Sequence, residues 1–203
     1  MIGIPLDGGG TFTGEFTDFL SPYALLSGGL TVAMLAMQGT LYLNLKSGEG
    51  ELAGRIREWG WHSWGIFLVL YVLTTMYTLV AIPRATANFA HFPWAAAVVV
   101  LNVLAIANIP RALYRERFGQ AFLSSCFTIL AMVFLLSIAL WPNLVTAVNA
   151  AENSLTVYNA ASSQKTLWIM FLISLIGMPF VLFYTASVYW TFRGKVKVGE
   201  EVY

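Results

Sequence analysis

His62 and His91 are the only imidazoles in the chain, so a porphyrin iron held through nitrogen would have to use them. They lie at opposite ends of an apolar stretch, 64–82. At about 1.5 Å of rise per residue, a helix over that stretch separates them by roughly a membrane thickness. They therefore cannot be the two axial ligands of one haem, while a single-histidine site near either end stays open. The plainer role is that of interfacial histidines hydrogen-bonded to backbone or water. Cys126 is the single cysteine, which excludes an internal disulfide and a thiolate metal cluster; it reads as a small buried apolar side chain.

No Asp, Glu, Lys or Arg falls inside the five long apolar stretches of the sequence. An ionised group at that depth costs at least about 2.5–3.5 kcal/mol and marks an ion or proton path; none is marked. What remains at depth is uncharged: Gln38, Thr74, Thr75, Asn102, Ser124, Ser125, Thr128 and Ser174. Each can tie two helices together through a hydrogen bond worth about 0.6 kcal/mol on average. The sharper reading gives Gln38 or Asn102 the wall of a cavity that holds a quinone or a lipid headgroup. Pro179 follows Gly177-Met178 and cannot donate to the Leu175 carbonyl, so a kink is expected there. Its plain use is packing, and its functional use is a widened pocket beside it. Phosphate loops, zinc spacings and nucleic-acid signatures are absent, so no catalytic or metal-ligating residue and no nucleic-acid partner is expected.

The elements that carry these residues follow from composition. Of 203 residues, 58% are hydrophobic and 10% charged, against about 25% charged in a soluble domain. The mean hydropathy of +0.71 points to lipid as the solvent. Stretches apolar on all sides and near 20 residues long read as membrane helices over 22–45, 64–82, 93–109, 121–140 and 167–190. Ser21 and Pro22 supply an N-cap and a first helical residue for the first. Pro83, Pro110 and Trp141-Pro142 bound the second, third and fourth. Residues 1–21 read as an irregular polar lead-in, 142–166 as an outer loop suited to docking or capping, and 191–203 as a tail. Residues 1–20 contain no Lys or Arg, the reverse of a signal-peptide n-region.

Charge placement sets the expected orientation. Nine of the eleven Lys and Arg residues fall in three alternating segments: Lys46, Arg55 and Arg57; Arg111, Arg115 and Arg117; Arg193, Lys195 and Lys197. Cytoplasmic segments collect basic residues and lie against anionic lipid, so the N-terminus is expected outside and the C-terminus inside. All seven tryptophans fall near the ends of stretches, as an aromatic belt requires.

The outer loop and last helix carry a resemblance. Ser154-Leu155-Thr156-Val157-Tyr158-Asn159-Ala160-Ala161-Ser162-Ser163, Thr166-Leu167, Met170, Tyr184, Tyr189 and Phe192-Arg193-Gly194-Lys195-Val196 resemble the C-terminus of subunit II of cytochrome bd-type quinol oxidases. Ser21-Pro22-Tyr23-Ala24-Leu25-Leu26, Gly39-Thr40-Leu41-Tyr42-Leu43 and Thr86-Ala87-Asn88-Phe89 are similar to the same subunit. The resemblance runs from about Pro5 to Val196, and Gln164 stands where the family has a proline. It matches the second half of that subunit, which carries about four further helices before it, so a split gene or a truncation is expected.

The resemblance implies a place in the bacterial cytoplasmic (inner) membrane, as a haem-free subunit of a terminal respiratory oxidase. It implies haems b and d in a partner, subunit I, which oxidises quinol and reduces O2 to water. It further implies a structural quinone inside subunit II, and the missing N-terminal half of subunit II and membrane lipids as other partners. No cofactor held by this chain's own side chains is expected. The alternative is a stand-alone membrane transporter or a lipid- or quinone-binding protein, against which the lack of buried charge and of paired broken helices argues.

Overall fold

The computed structural model describes residues 3–48, 50–82, 86, 88–89 and 91–194. Pro83, the expected stop of the second span, and Lys195 and Lys197 of the tail lie outside the described residues. Among the described residues, five helices are long and apolar enough to cross a membrane. They are α1 (Pro22–Lys46), α2 (Glu51–Ala81), α3 (Ala95–Tyr114), α4 (Phe118–Leu140) and α5 (Gln164–Thr191). The chain is an all-α integral membrane protein, whose helices satisfy their own backbone groups where lipid offers no partner.

Local chemistry starts the helices. Ser21 Oγ accepts the Ala24 N–H at 3.2 Å, with Pro22 in the first turn of α1. Ser163 Oγ accepts the Thr166 N–H at the head of α5. Two elements differ from the sequence expectation. First, α2 begins at Glu51 rather than near Trp64, because residues 51–58 are mostly good helix formers and nothing breaks them. Its 31 residues reach about 46 Å at 1.5 Å each, well beyond a bilayer core of about 30 Å. Second, α3 does not end before Pro110 but runs through it to Tyr114.

The reason for that continuation is a hydrogen bond from another helix. Pro110 has no N–H for the carbonyl of Ile106, four residues earlier. The Trp64 indole of α2 donates to that same carbonyl at 3.3 Å. A freed backbone acceptor in a membrane helix is thus satisfied by a neighbour, the half-buried Trp64.

Helices α1 to α4 close into a ring: α1 packs on α2 and α4, and α3 packs on α4 and α2. The core is narrow. Leu30, Ala33, Met37 and Leu41 of α1 meet Phe67 of α2, Ile106, Ile109, Ala112 and Leu113 of α3, and Ala121 of α4. Steps of three and four residues put each set on one face; the other faces are exposed, as lipid permits. Ala121 and Ser125 on α4 are fully buried, small residues four apart that let helices approach. By contrast, α5 buries none of its residues and packs against no other described element. Its recorded link to the ring is Lys46 Nζ, donating to the Phe192 carbonyl at 2.5 Å and to Gly194 at 3.5 Å.

One end of the ring carries a folded cap. The lead-in read as irregular is docked against the segment after α4. The Ile4 N–H donates to Thr146 O at 2.9 Å, and the Val148 N–H returns to Ile4 O at 3.1 Å. Leu6 is buried, and its carbonyl accepts from Asn149 Nδ2 at 2.5 Å and Asn153 Nδ2 at 3.0 Å. A Cβ on Gly3 would meet Thr146 O at 2.2 Å, so that approach requires glycine. Within the cap, β1 (Asn143–Val145) pairs antiparallel with β2 (Leu155–Thr156). Asn88 Nδ2, donating to Ile138 O and Trp141 O, fastens the α2–α3 connection to the end of α4.

Candidate functional site

The interior of the ring is held by neutral hydrogen bonds, and each can be traced to a polar side chain on a buried face. Ser125 Oγ donates to Gln38 Oε1, and Gln38 Nε2 donates to Cys126 Sγ at 3.0 Å. Asn108 Nδ2 donates to Ser124 Oγ at 2.9 Å, joining α3 to α4. Thr40 and Ser63 share a bond of 2.8 Å between α1 and α2. Asn44 Nδ2 reaches Ile56 O at 3.2 Å; a Cβ on Gly60 would press on that nitrogen, also at 3.2 Å. Tyr23 Oη meets Thr78 Oγ1 at 3.0 Å towards the capped end. On the opposite side Arg57 Nη1 pairs with Glu116 at 2.8 Å, with both side chains substantially exposed, a contact worth about 0–1 kcal/mol.

A cavity lies between these helices. Near the capped end, α1, α2, α3, α4 and the α2–α3 connection surround a cavity of about 490 Å³. Its wall is mostly apolar, including Leu30, Val99, Met132 and Leu136, and it is edged with polar groups from Tyr71, Thr74, Thr75, Thr78, Thr86 and Asn102. Thr74 and Thr78 spend their protons on carbonyls of their own helix, Leu70 O and Thr74 O, each at 2.7 Å. Asn102 is fully buried. Its Nδ2 donates to Tyr71 Oη at 3.3 Å, and its Oδ1 has no hydrogen-bond partner among the described residues. Cavities of this size and lining suit a small headgroup with an apolar tail.

The three residues singled out from sequence thus occupy three different settings. Asn102 is on the cavity wall; Gln38 bridges α1 to α4 away from it; Pro179 is exposed on α5. The histidines do not fit a shared haem. His62 is exposed, its Nδ1 2.8 Å from Glu58 O, and His91 is exposed beyond the far end of α2. The 19 residues from His62 to the helix end at Ala81 span about 29 Å. Among the described residues, no three His, Cys, Asp or Glu side chains gather into a metal site.

Tyr71 was not singled out from sequence, and Trp64 was read there only as an aromatic-belt residue at the start of a span. The only signal for Tyr71 was its place one turn before Thr75. For Trp64, a proline inside an apolar stretch implies an orphaned carbonyl four residues earlier that needs a donor; its identity depends on which helix lies alongside.

Residues 1–192 match the family described as cytochrome bd terminal oxidase subunit II. The chain is similar to cytochrome bd-I ubiquinol oxidase subunit 2 of Escherichia coli K12, at 29% identity over 91% of this chain and 55% of the relative. It is similar also to cytochrome bd ubiquinol oxidase subunit 2 of Bacillus subtilis 168, at 27% over 98% of this chain and 57% of that protein. The probable cytochrome oxidase subunit 2 of Haemophilus influenzae is 26% identical over 92% of this chain and 56% of its own length. The chain spans a little over half the length of these curated relatives.

Proposed function

This chain belongs to the cytochrome bd terminal oxidase subunit II family, and on that premise we propose that it is a haem-free membrane subunit of a bd-type quinol:O2 oxidoreductase. It is a multi-pass protein of the bacterial inner membrane. Its partner is a haem-bearing subunit I, where haems b and d carry electrons from quinol to O2 and water is formed. This chain contributes helices, not reacting groups. The observation that carries the reading is the ring interior, held by neutral Gln38, Ser125, Asn108, Thr40 and Ser63, with both imidazoles at exposed positions.

Two features support a larger assembly. Helix α5 buries nothing among the described residues, so the polar and small groups along it, Ser174, Gly177 and the Leu175 carbonyl freed by Pro179, are available to a neighbouring helix. The relatives are nearly twice as long as the matched region, and the remaining helices of subunit II come either from another gene product or from the rest of a longer chain. The alternating basic segments favour the cytoplasmic side for the α1–α2 and α3–α4 turns and the outer side for the cap. The cavity at Asn102 takes the apolar-tailed headgroup of a structural quinone or a lipid.

Affinity purification of the tagged chain from its own membranes tests this. A haem b- and d-containing polypeptide is expected in stoichiometric amount, with quinol oxidase activity in the eluate. Recovery of the chain without such a partner, or with haem bound to the chain alone, rejects the subunit reading.

A further inference from the structure

The lead-in of the cap shows apolar side chains that nothing among the described residues covers. Just ahead of α1, Phe16–Leu20 forms a short 3-10 helix that adjoins the head of α1. Its Phe16 is 76% exposed, Phe19 48% and Leu20 49%. Side chains three apart eclipse in a 3-10 helix, so Phe16 and Phe19 share one face, Thr17 and Leu20 a second, and Asp18 stands alone on the third. The Asp18 carboxylate turns back to accept the Glu15 N–H at 2.9 Å. Phe19 rests on the half-buried Phe12, with ring centroids 4.9 Å apart, and the Thr13 N–H next to Phe12 donates to Pro5 O at 3.1 Å. The folded cap thus presents the apolar faces, and apolar surface of this kind marks a place of contact.

What covers them follows from where they lie. Helix α1 is 25 residues long, about 37 Å against a hydrocarbon core of about 30 Å. Its head therefore ends within a few ångströms of the lipid tails, and Ser21 alone separates Phe16–Leu20 from it. Leu25, in the first turn of α1, is 61% exposed, so apolar exposure continues along the chain from the 3-10 helix into the span. We infer that Phe16, Phe19 and Leu20 form an interfacial anchor, inserted at headgroup level in the leaflet at the capped end, which holds the cap down on the membrane. The contact is apolar and not electrostatic. Attraction to anionic headgroups needs Lys or Arg, and residues 1–20 have Asp7, Glu15 and Asp18 but no basic residue. Segments that lie in the membrane plane bury their apolar face about 5–10 Å into the boundary between headgroups and acyl chains.

The test uses the full chain in phosphatidylcholine nanodiscs. Cys126→Ser removes the native thiol, and a nitroxide at Thr17→Cys leaves all three anchoring side chains in place. Its collisions with lipid-soluble O2 are compared with those with a water-soluble nickel chelate. Gly8→Cys, in open space on the cap, gives the value for water, and Val32→Cys, 69% exposed on α1, gives the value for lipid. The O2 to nickel ratio at Thr17 is expected to be at least about threefold above that at Gly8. Phe16→Ser with Leu20→Ser, which leaves Phe19 on Phe12, is expected to return it to the Gly8 value. A Thr17 ratio equal to that at Gly8 overturns the anchor. So does suppression of both collisions together, which would put a polypeptide over these faces. A ratio that survives the double substitution also overturns it, because the label and not the protein would then be what seeks lipid.

Discussion

The ring of α1 to α4 and the solitary α5 are built from the same kind of sequence, yet they behave differently. Both are apolar all round, and α5 has a window of mean hydropathy 2.3 against 2.4 in α4. Hydrophobicity therefore does not separate them. In lipid it drives insertion, but it gives no reason for one greasy helix to prefer another over the acyl chains. The ring coheres through what interrupts the grease: buried Ala121 and Ser125, the Gln38 and Asn108 bridges, and the Trp64 bond to Ile106 O. Helix α5 carries comparable interruptions, Ser174 and Gly177-Met178-Pro179, with nothing among the described residues packed opposite them. A helix with the means to associate and no partner among the described residues is one that can pack against helices outside them.

The largest effect that should divide the two regions comes from overpacking. Ser125→Phe puts a ring into a fully buried site between α1 and α4, and a loss of about 1–3 kcal/mol is expected. Ser174→Phe on bare α5 is expected to leave the isolated chain within about 0.5 kcal/mol of the original. Unfolding in mixed micelles measures both, and equal losses would erase the distinction drawn here.

A smaller effect examines how α3 survives its proline. Trp64→Phe removes the donor to Ile106 O and should cost about 1 kcal/mol. In a Pro110→Ala background the helix supplies its own donor, so the same change should cost about half as much or less. Additive losses in that double-mutant cycle would show that the indole contributes packing alone.

The smallest effect on the isolated chain is expected for Pro179→Ala, which restores a backbone bond on a helix that packs against nothing here. Micelle stability should change by less than about 1 kcal/mol, while the yield of assembled complex falls more than turnover per complex does. Undiminished assembly with collapsed turnover would assign Pro179 to the chemistry instead of to packing.

Some of the site was legible in the residues and some was not. Asn102 stood out as an amide in the middle of 93–109, because an uncharged polar group at that depth must pair or line a cavity. Gln38 stood out by the same argument, and its amide is bonded to Ser125 and Cys126. Nothing in the sequence distinguishes those two outcomes, since the difference is whether a partner sits across the gap. The helical start at Glu51 was missed because charged residues there read as a loop, although a helix longer than the bilayer can carry them in water. The docked lead-in was missed because its contacts, Ile4 with Thr146 and Leu6 with Asn149, join residues more than 140 positions apart.

Sequence alone determined the solvent and the count of spans. Length, apolar content and the absence of charge act locally, residue by residue, on transfer into hydrocarbon. The tertiary structure decided which polar groups are satisfied and by whom: Trp64 for the carbonyl that Pro110 frees, Ser125 for Gln38, and nothing for Asn102 Oδ1. Hydrogen bonds act over about 3 Å between chosen atoms. Only the mutual placement of helices can say which of them form and where one is left unmade among the described residues.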